Sequence, residues 1–358
     1  MNREQINAFV IKETATVVEA MQKIDSNAKG ILFVVDEVWK LSGVVTDGDI
    51  RRWLIKTGKL QSSVCDIMNC SPKVIYQKDS AMAQDMMHKY TITALPVITR
   101  KGILKDIIFA AQDGYIAEEQ EKDLLTEVPV VIMAGGKGTR LYPYTKVLPK
   151  PLIPIGDIPI MERIIDRFCM YGITDYYATV NYQKGMIKAY FSEVANGYHI
   201  RYVEEDEPLG TAGSLRLISE RFQNPFIVTN CDILIDADYS DIYKFHNKTG
   251  NSMTIVSALK NIVVPYGVIH SKEDGLITQM EEKPKLSYFI NTGMYILNPD
   301  VLDRIPQDTF FHMTDLADAL MEAGKKVGMY PISEDSFLDM GEFEEMRRME
   351  QKLNLKVE

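Results

Sequence analysis

Between residues 134 and 150 the chain carries residues suited to holding phosphate. They are Ala134-Gly135-Gly136-Lys137-Gly138-Thr139-Arg140, with Lys150 following in Pro149-Lys150-Pro151. Glycines at 135, 136 and 138 let the backbone come within contact distance of a ligand, because no Cβ intervenes. Exposed N–H groups in such a turn can hold phosphate oxygens, and Lys137, Arg140 and Lys150 add cations. Two commoner glycine loops are excluded. A Walker loop places Ser or Thr after Gly-Lys, where this chain has Gly138. A dinucleotide fingerprint begun at Gly136 needs a third glycine where Leu141 stands. By residue type alone, a plain strand-to-helix turn with neighbouring cations fits equally well.

Other groups recur at places where a ligand could sit. Asp232 follows the apolar run Phe226–Thr229 through Asn230-Cys231. A carboxylate there suits a hard divalent ion bridging phosphates, or caps the next turn. In Glu207-Pro208-Leu209-Gly210-Thr211-Ala212-Gly213, Gly210 allows close approach of a flat base or a ribose. Near the N-terminus, Asp49 opens a helix in Gly43-Val44-Val45-Thr46-Asp47-Gly48-Asp49-Ile50. Its carboxylate could accept from ribose hydroxyls while Thr46 donates to a phosphate at the helix start; a simple helix cap is the plainer alternative.

The elements that must position these groups follow from periodicity. Val130-Val131-Ile132 reads as a buried strand. Beyond it, helical segments at Met161–Met170, 185–191 and 213–219 alternate with strands at Tyr176–Val180, 200–203 and 226–229. This rhythm predicts an α/β fold with a doubly wound, mostly parallel sheet and ligands at the carboxyl ends of its strands. The glycine loop and Asp232 both fall at such ends. Residues 1–120 form a smaller α+β domain in which a helix–strand–strand unit repeats after about 60 residues; neither half buries enough apolar surface alone. Asp113 to Glu127 is a charged helical linker, 121–358 the larger domain, and Glu342 to Leu355 a last amphipathic helix.

Composition narrows the class. With 358 residues there is room for roughly two domains. A net charge of -10 argues against a nucleic-acid partner but not against a locally basic nucleotide pocket. The four cysteines form no Cys-x-x-Cys and no zinc spacing, as expected of reduced thiols in the cytoplasm. No apolar run approaches the roughly 18 residues of a membrane helix, and the first residues do not read as a signal peptide.

Taken together, GGKGTRL, the spacing of Pro143 and Thr145, and PKPLIPI resemble the signature of the sugar-1-phosphate nucleotidyltransferases, and the resemblance runs over residues 120–350. It implies a Rossmann-like domain that binds a nucleoside triphosphate and a sugar 1-phosphate with Mg²⁺. Ala134, Gly135, Gly136, Gly138 and Thr139 would line the triphosphate with Arg140, and Lys150 would bridge the two phosphates. Asp232 in Asn-Cys-Asp and Asp339 in Asp-Met-Gly would hold the metal; Glu342 stands where family members more often carry Thr. Gly210 and Thr211 would flank the base, and Glu205 would face its Watson–Crick edge. A carboxylate accepts two hydrogen bonds and donates none. Guanine offers two adjacent donors there, whereas uracil or thymine offers one flanked by acceptors. The mismatch costs roughly 1–3 kcal/mol, which favours GTP; a solvent-facing Glu205 is the alternative. For the sugar, the resemblance points to Gly267 in Tyr-Gly-Val, Glu282 and Lys283 in Glu-Glu-Lys-Pro, and Asn291 and Thr292 in Asn-Thr-Gly. Lys150→Ala is expected to lose most turnover with little change in thermal midpoint. A uridylyl- or thymidylyltransferase, or a nucleotide-sensing protein without activity, are the competing readings.

The segment around Thr46 and Asp49 resembles the ligand motif of cystathionine-β-synthase-type (CBS) modules, which implies an adenosyl nucleotide on those two residues and a homo-oligomer. Lys105 occupies the corresponding Thr position of the second half, so one ligand site or pure dimerisation is implied. The domain order resembles proteins of bacterial nonulosonic-acid (legionaminic-type) pathways, with glucosamine 1-phosphate as a substrate.

Overall fold

The computed structural model describes residues 3–27, 29–90, 92–110, 124–194, 197–341 and 343–352. Most of the expected linker helix at 113–127, and Glu342, lie outside them. Two compact units are present: Met1–Gln120 with Leu259–Phe289, and Glu121–Ala258 with Ile290–Glu358.

The N-terminal residues run α1 (Arg3–Asn7), β1 (Val10–Lys12), α2 (Val17–Asn27), β2 (Ile31–Val35), β3 (Leu41–Thr46), α3 (Asp47–Thr57), β4 (Ile75–Tyr76), α4 (Ala83–Tyr90), β5 (Ala94–Ile98) and β6 (Leu104–Phe109). They build two three-stranded sheets of one plan. In each, the first strand pairs parallel and the last antiparallel with the middle strand. Even the register shifts correspond, at Val34/Val35 and Val97/Ile98. One core cluster draws Phe33 and Val35 from β2 together with Ala94 and Ile98 from β5, so the halves complete each other's burial. No helix follows β6 among the described residues, whereas α3 follows β3. Leu259 joins a second core with Ile11, Val17 and Leu32, and Phe289 packs on it. Residues 259–289 therefore group with the first unit, although the sequence places them inside the larger domain.

From residue 130 the chain runs β7 (Val130–Met133), β8 (Pro154–Ile155), β9 (Ile158–Pro159), α5 (Ile160–Cys169), β10 (Asp175–Val180), α6 (Lys184–Glu193), β11 (His199–Glu204), α7 (Gly210–Gly213), β12 (Phe226–Asn230), β13 (Ile233–Ile235), α8 (Tyr239–Thr249), β14 (Met253–Val263), β15 (Val268–Ser271), β16 (Ile277–Glu281), β17 (Lys285–Leu297), α9 (Met313–Glu322), β18 (Val327–Ile332), β19 (Phe337–Asp339) and α10 (Phe343–Lys352). The helix expected at 213–219 is instead the single turn α7 followed by a 3-10 turn at Ser214–Leu217.

Seven strands form the sheet of the second unit in the order β11-β10-β7-β12-β17-β14-β18. β7, β10, β11 and β12 are parallel, and β17 runs antiparallel to β12. Side chains alternate between two cores, one on each face: Val130 and Ile132 enter one, Val131 the other. Helix α5 covers the first core with Ile160, Met161, Ile164, Ile165 and Phe168, a 3.6-residue stripe. Phe168 packs against Tyr239 with the rings tilted by 45° and their centres 4.8 Å apart, and it is 1% exposed. Phe168→Ala is expected to destabilise this unit by about 3–5 kcal/mol, read as a lower urea midpoint by circular dichroism; an unchanged midpoint would contradict the packing.

Candidate active site

Strand order dictates where a ligand can enter. From β7 the chain winds outward through β10 and β11, then returns to β7's other side as β12. The direction reverses between β7 and β12, so a crevice opens at their carboxyl ends. The glycine loop leaves one of these ends and Asn230-Cys231-Asp232 the other. Gly138 adopts a left-handed conformation (φ 63°), and a Cβ there would meet Thr145 at 2.8 Å and Lys150 at 3.1 Å. The Thr145 hydroxyl donates to the Gly138 carbonyl at 3.0 Å. Gly136 has open space beside it, leaving that face of the loop accessible.

Two carboxylates meet the loop. β13 and β19 pair antiparallel with Ile233 opposite Asp339, and the Met340 N–H donates to the Asp232 carbonyl at 2.8 Å. Asp232 is 6% exposed and forms an ion pair with the Lys150 ammonium. Burial pushes the Asp339 carboxyl above the usual range, and the neighbouring Asp232 pushes it further; the Gly341 N–H, Lys150 and Arg140 oppose the rise. A Cβ on Gly341 would lie 3.0 Å from the Arg140 guanidinium and 3.1 Å from both Asp339 oxygens. The absent side chain is what lets cation and carboxylate share this corner. Among the described residues no three His, Cys, Asp or Glu groups gather as a metal cage. Two oxygen-donor carboxylates beside a phosphate loop nonetheless fit a hard divalent cation that completes its shell with phosphate and water oxygens.

Glu205 does not face solvent. It is 5% exposed, directly after β11, and its Oε2 accepts from the Leu209 N–H at 3.0 Å. A Cβ on Gly135 would stand 2.7 Å from its Oε1, so the glycine loop lies directly against this carboxylate. Burial raises its pKa above the ordinary 4.5, and the Leu209 N–H partly offsets this. Asn181, which sequence reasoning passed over, donates to the Glu205 carbonyl at 2.8 Å and ties the end of β10 to it.

The remaining site residues divide. The Asn291 amide donates to the Tyr295 hydroxyl at 2.7 Å and its oxygen accepts from the Gly293 N–H. Thr292 is 3% exposed and its hydroxyl donates to the Val256 carbonyl at 2.8 Å, bracing two strands. Thr211 likewise uses its side-chain oxygen to accept from the Met313 N–H at 2.9 Å. Gly267, Glu282 and Lys283 flank the exposed β15–β16 hairpin in the first unit, where Gly267 lies against Glu282.

In that unit Thr46 and Asp49 cap α3 reciprocally: Thr46 Oγ1 donates to Asp49 Oδ2 at 2.6 Å, and the Asp49 N–H donates back to Thr46 Oγ1 at 3.2 Å. The cap does not remove them from a ligand's reach. Both line a cavity of about 470 Å³ between the two half-units, with Lys73, Tyr90 and Thr93.

The Lys150–Asp232 pair argues against the expectation that Lys150→Ala changes the thermal midpoint little. Removing the ammonium strands one nearly buried carboxylate beside another, a loss of about 3–5 kcal/mol. A clearly lower thermal midpoint for Lys150→Ala in metal-free buffer checks this; an unaltered midpoint would exclude the ion pair.

Residues 129–355 match the nucleotidyl transferase family and residues 1–56 the CBS domain. The chain is 35% identical over 219 residues to a mannose-1-phosphate guanyltransferase of Aspergillus fumigatus, covering 54% of this chain and 60% of that protein. It is 39% identical over 186 residues to the mannose-1-phosphate guanyltransferase of Candida albicans, covering 49% and 51%. The chain thus spans between half and three fifths of the length of these curated relatives. The crystal structure of HddC from Yersinia pseudotuberculosis superposes with a TM-score of 0.50 at 24% identity, over 63% of this chain and 99% of that one, a likeness of fold. With its second unit organised around this crevice and the family match spanning 129–355, the chain belongs to the nucleotidyl transferase family.

Proposed function

We propose that this protein transfers GMP from GTP onto a hexose 1-phosphate and releases pyrophosphate. One observation carries the reading: the glycine loop, Arg140, Lys150, Asp232 and Asp339 converge at the crevice between β7 and β12. In the reaction a sugar-phosphate oxygen bonds to the α-phosphorus of GTP while the bond from that phosphorus to the pyrophosphate oxygen breaks. A phosphate monoester is nucleophilic at neutral pH, so no general base is required. The protein's task is to align two anions and offset their charge.

The N–H groups of residues 135–138 and Arg140 hold the triphosphate. Lys150, close against Gly138, bridges the α-phosphate and the sugar phosphate. Asp232 and Asp339 would hold Mg²⁺, which when bound would supply charge neutralisation for the phosphates. Lys283 and Glu282 take the sugar phosphate and hydroxyls, with Gly267 and Asn291 completing the sugar side. The relatives named above act on mannose 1-phosphate by name, and the domain order suggests glucosamine 1-phosphate. Pyrophosphate release across a grid of four triphosphates against both sugar phosphates tests the reading. Turnover confined to another triphosphate would replace GMP by that nucleotide, and no turnover at all would reduce the protein to a nucleotide sensor.

Glu205 selects the base. Its oxygens retain lone pairs beyond the one given to Leu209, and guanine's N1–H and amine match an acceptor-only edge. Glu205→Gln turns half of that edge into a donor, so the ratio of GTP to UTP turnover should fall by about tenfold. Stability should move the other way. An acid whose folded pKa is raised loses stability as pH climbs through the interval above its unfolded value, because only the ionised form is penalised. The amide escapes that penalty, so Glu205→Gln should match or exceed the wild-type thermal midpoint at pH 7 and lose any advantage below pH 4.5. A lower midpoint at pH 7 with unchanged base preference would refute both roles.

Residues 1–120 serve as a CBS pair that binds an adenosyl nucleotide in the cavity at Thr46 and Asp49 and supports a homo-oligomer. Asp49 meets ribose hydroxyls and Lys73 an anionic group. The free cysteines are consistent with a cytoplasmic protein, and no helix among the described residues is long and apolar enough to cross a membrane. AMP or ATP should raise the thermal midpoint of the wild type, and Asp49→Ala should abolish the shift; a shift retained in Asp49→Ala would place the ligand elsewhere.

A further inference from the structure

The loop at 209–213 is held from a distant part of the chain. The Phe311 N–H donates to the Leu209 carbonyl at 2.9 Å, and the Phe311 carbonyl accepts from Ala212 at 2.9 Å and Gly213 at 3.0 Å. Gly210 takes φ 78°, and a Cβ there would lie 2.6 Å from the Phe311 oxygen. One on Gly213 would lie 2.6 Å from the Thr309 oxygen. Residues 309–313 therefore form a strap packed against the loop's backbone. The far side of the loop ends on Glu205, through the Leu209 N–H.

The side-chain link is Thr211. A helix begins with N–H groups that have no partner inside the helix, and its own N-cap residue usually supplies the acceptor. For α9 the N-cap is His312, whose side chain accepts from the Asp315 backbone N–H, while the oxygen that meets the Met313 N–H belongs to Thr211, 102 residues upstream. The other end of the same helix start is closed locally, by Asp315 accepting from the His312 N–H at 2.7 Å. Helix α9 is anchored in the core by Met313, Leu316 and Leu320, so it is a fixed reference against which the loop can be set.

We propose that Thr211 is a positioning residue for base selection: its hydroxyl oxygen caps α9 and thereby fixes the 209–213 loop so that Leu209 holds Glu205 in its base-reading orientation. This rests on the reading of Glu205 as the base-selecting group. Without the cap, the loop keeps its backbone bonds to Phe311 but loses the side-chain anchor nearest Gly210. The Leu209 N–H then shifts and the Glu205 carboxylate is no longer held in one rotamer. The cost falls on nucleotide binding and selection, because Thr211 itself contributes no group to the transferring phosphates.

Thr211→Val keeps the shape and removes the acceptor, while Thr211→Ser restores it. In the full-length protein, Thr211→Val should raise KM for GTP by about fivefold, lower the GTP-to-UTP ratio of kcat/KM by a similar factor, and leave kcat the least affected quantity. Thr211→Ser should return both to near wild type. A wild-type KM and base preference in Thr211→Val, or a Ser variant as impaired as Val, would overturn the proposal. If Thr211→Val does not accumulate folded, Thr211→Ala is read in the same way against the Ser variant. A wild-type enzyme without preference for GTP would remove base selection from both Glu205 and Thr211; the KM comparison, run with whichever triphosphate is turned over, would still decide whether Thr211 positions the loop.

Discussion

Asp232 and Asp339 are drawn together where β13 pairs with β19, in surroundings that resist charge. Nothing in the packing of the sheet requires two carboxylates there, and Asp232 makes Asp339 harder to ionise. The Lys150 ammonium on Asp232 and the Arg140 guanidinium near Asp339 offset the repulsion. The same two cations face the glycine loop, so the groups that keep the apo site tolerable are those that phosphate would recruit. A nearly buried ion pair is weak evidence for stability in its own right. Here its value lies in keeping carboxylates and cations within reach of one another at the switch point of the sheet.

The loop at 209–213 and its surroundings are governed by a different constraint, the absence of side chains. Gly135 lies against Glu205, Gly210 against Phe311 and Gly213 against Thr309, each closer than a Cβ would permit. These contacts bring the carboxylate, the phosphate loop and the strap into one layer at the carboxyl ends of β7, β10 and β11. Hydrogen bonds from Asn181 and Leu209 then fix Glu205 from two directions. A buried carboxylate with unspent acceptor capacity is a selective feature, since only a ligand with donors can relieve it.

The first unit is built by duplication. Each half is a three-stranded sheet with a helix, and the shared core of Phe33, Val35, Ala94 and Ile98 is complete only when both are present. The second half departs from the first: by strand register Phe109, not the expected Lys105, occupies the position of Thr46, which leaves a single reciprocal Thr–Asp cap beside the cavity. The same two residues thus serve the helix start and line the cavity. The exposed hairpin of β15 and β16 groups with this unit through Leu259 and Phe289, which no local pattern could have announced.

Much of this molecule was legible from residue order alone. Strand and helix alternation after Val130 implied the parallel sheet, because burial on both faces demands continuous apolar runs. The glycine loop, Lys150 and Asp232 stood out as candidates by residue type and local spacing, and Asp339 through the family resemblance. Other features depended on partners far apart in the chain. Whether Glu205 was buried or exposed, whether Thr292 and Thr211 offered their hydroxyls or spent them, and whether Lys150 was free or paired were decided by contacts between segments tens to a hundred residues apart. A side chain's type states what bonds it can make. Only the folded chain determines which of them are already taken, because a hydrogen bond or ion pair formed inside the protein is no longer available to a ligand.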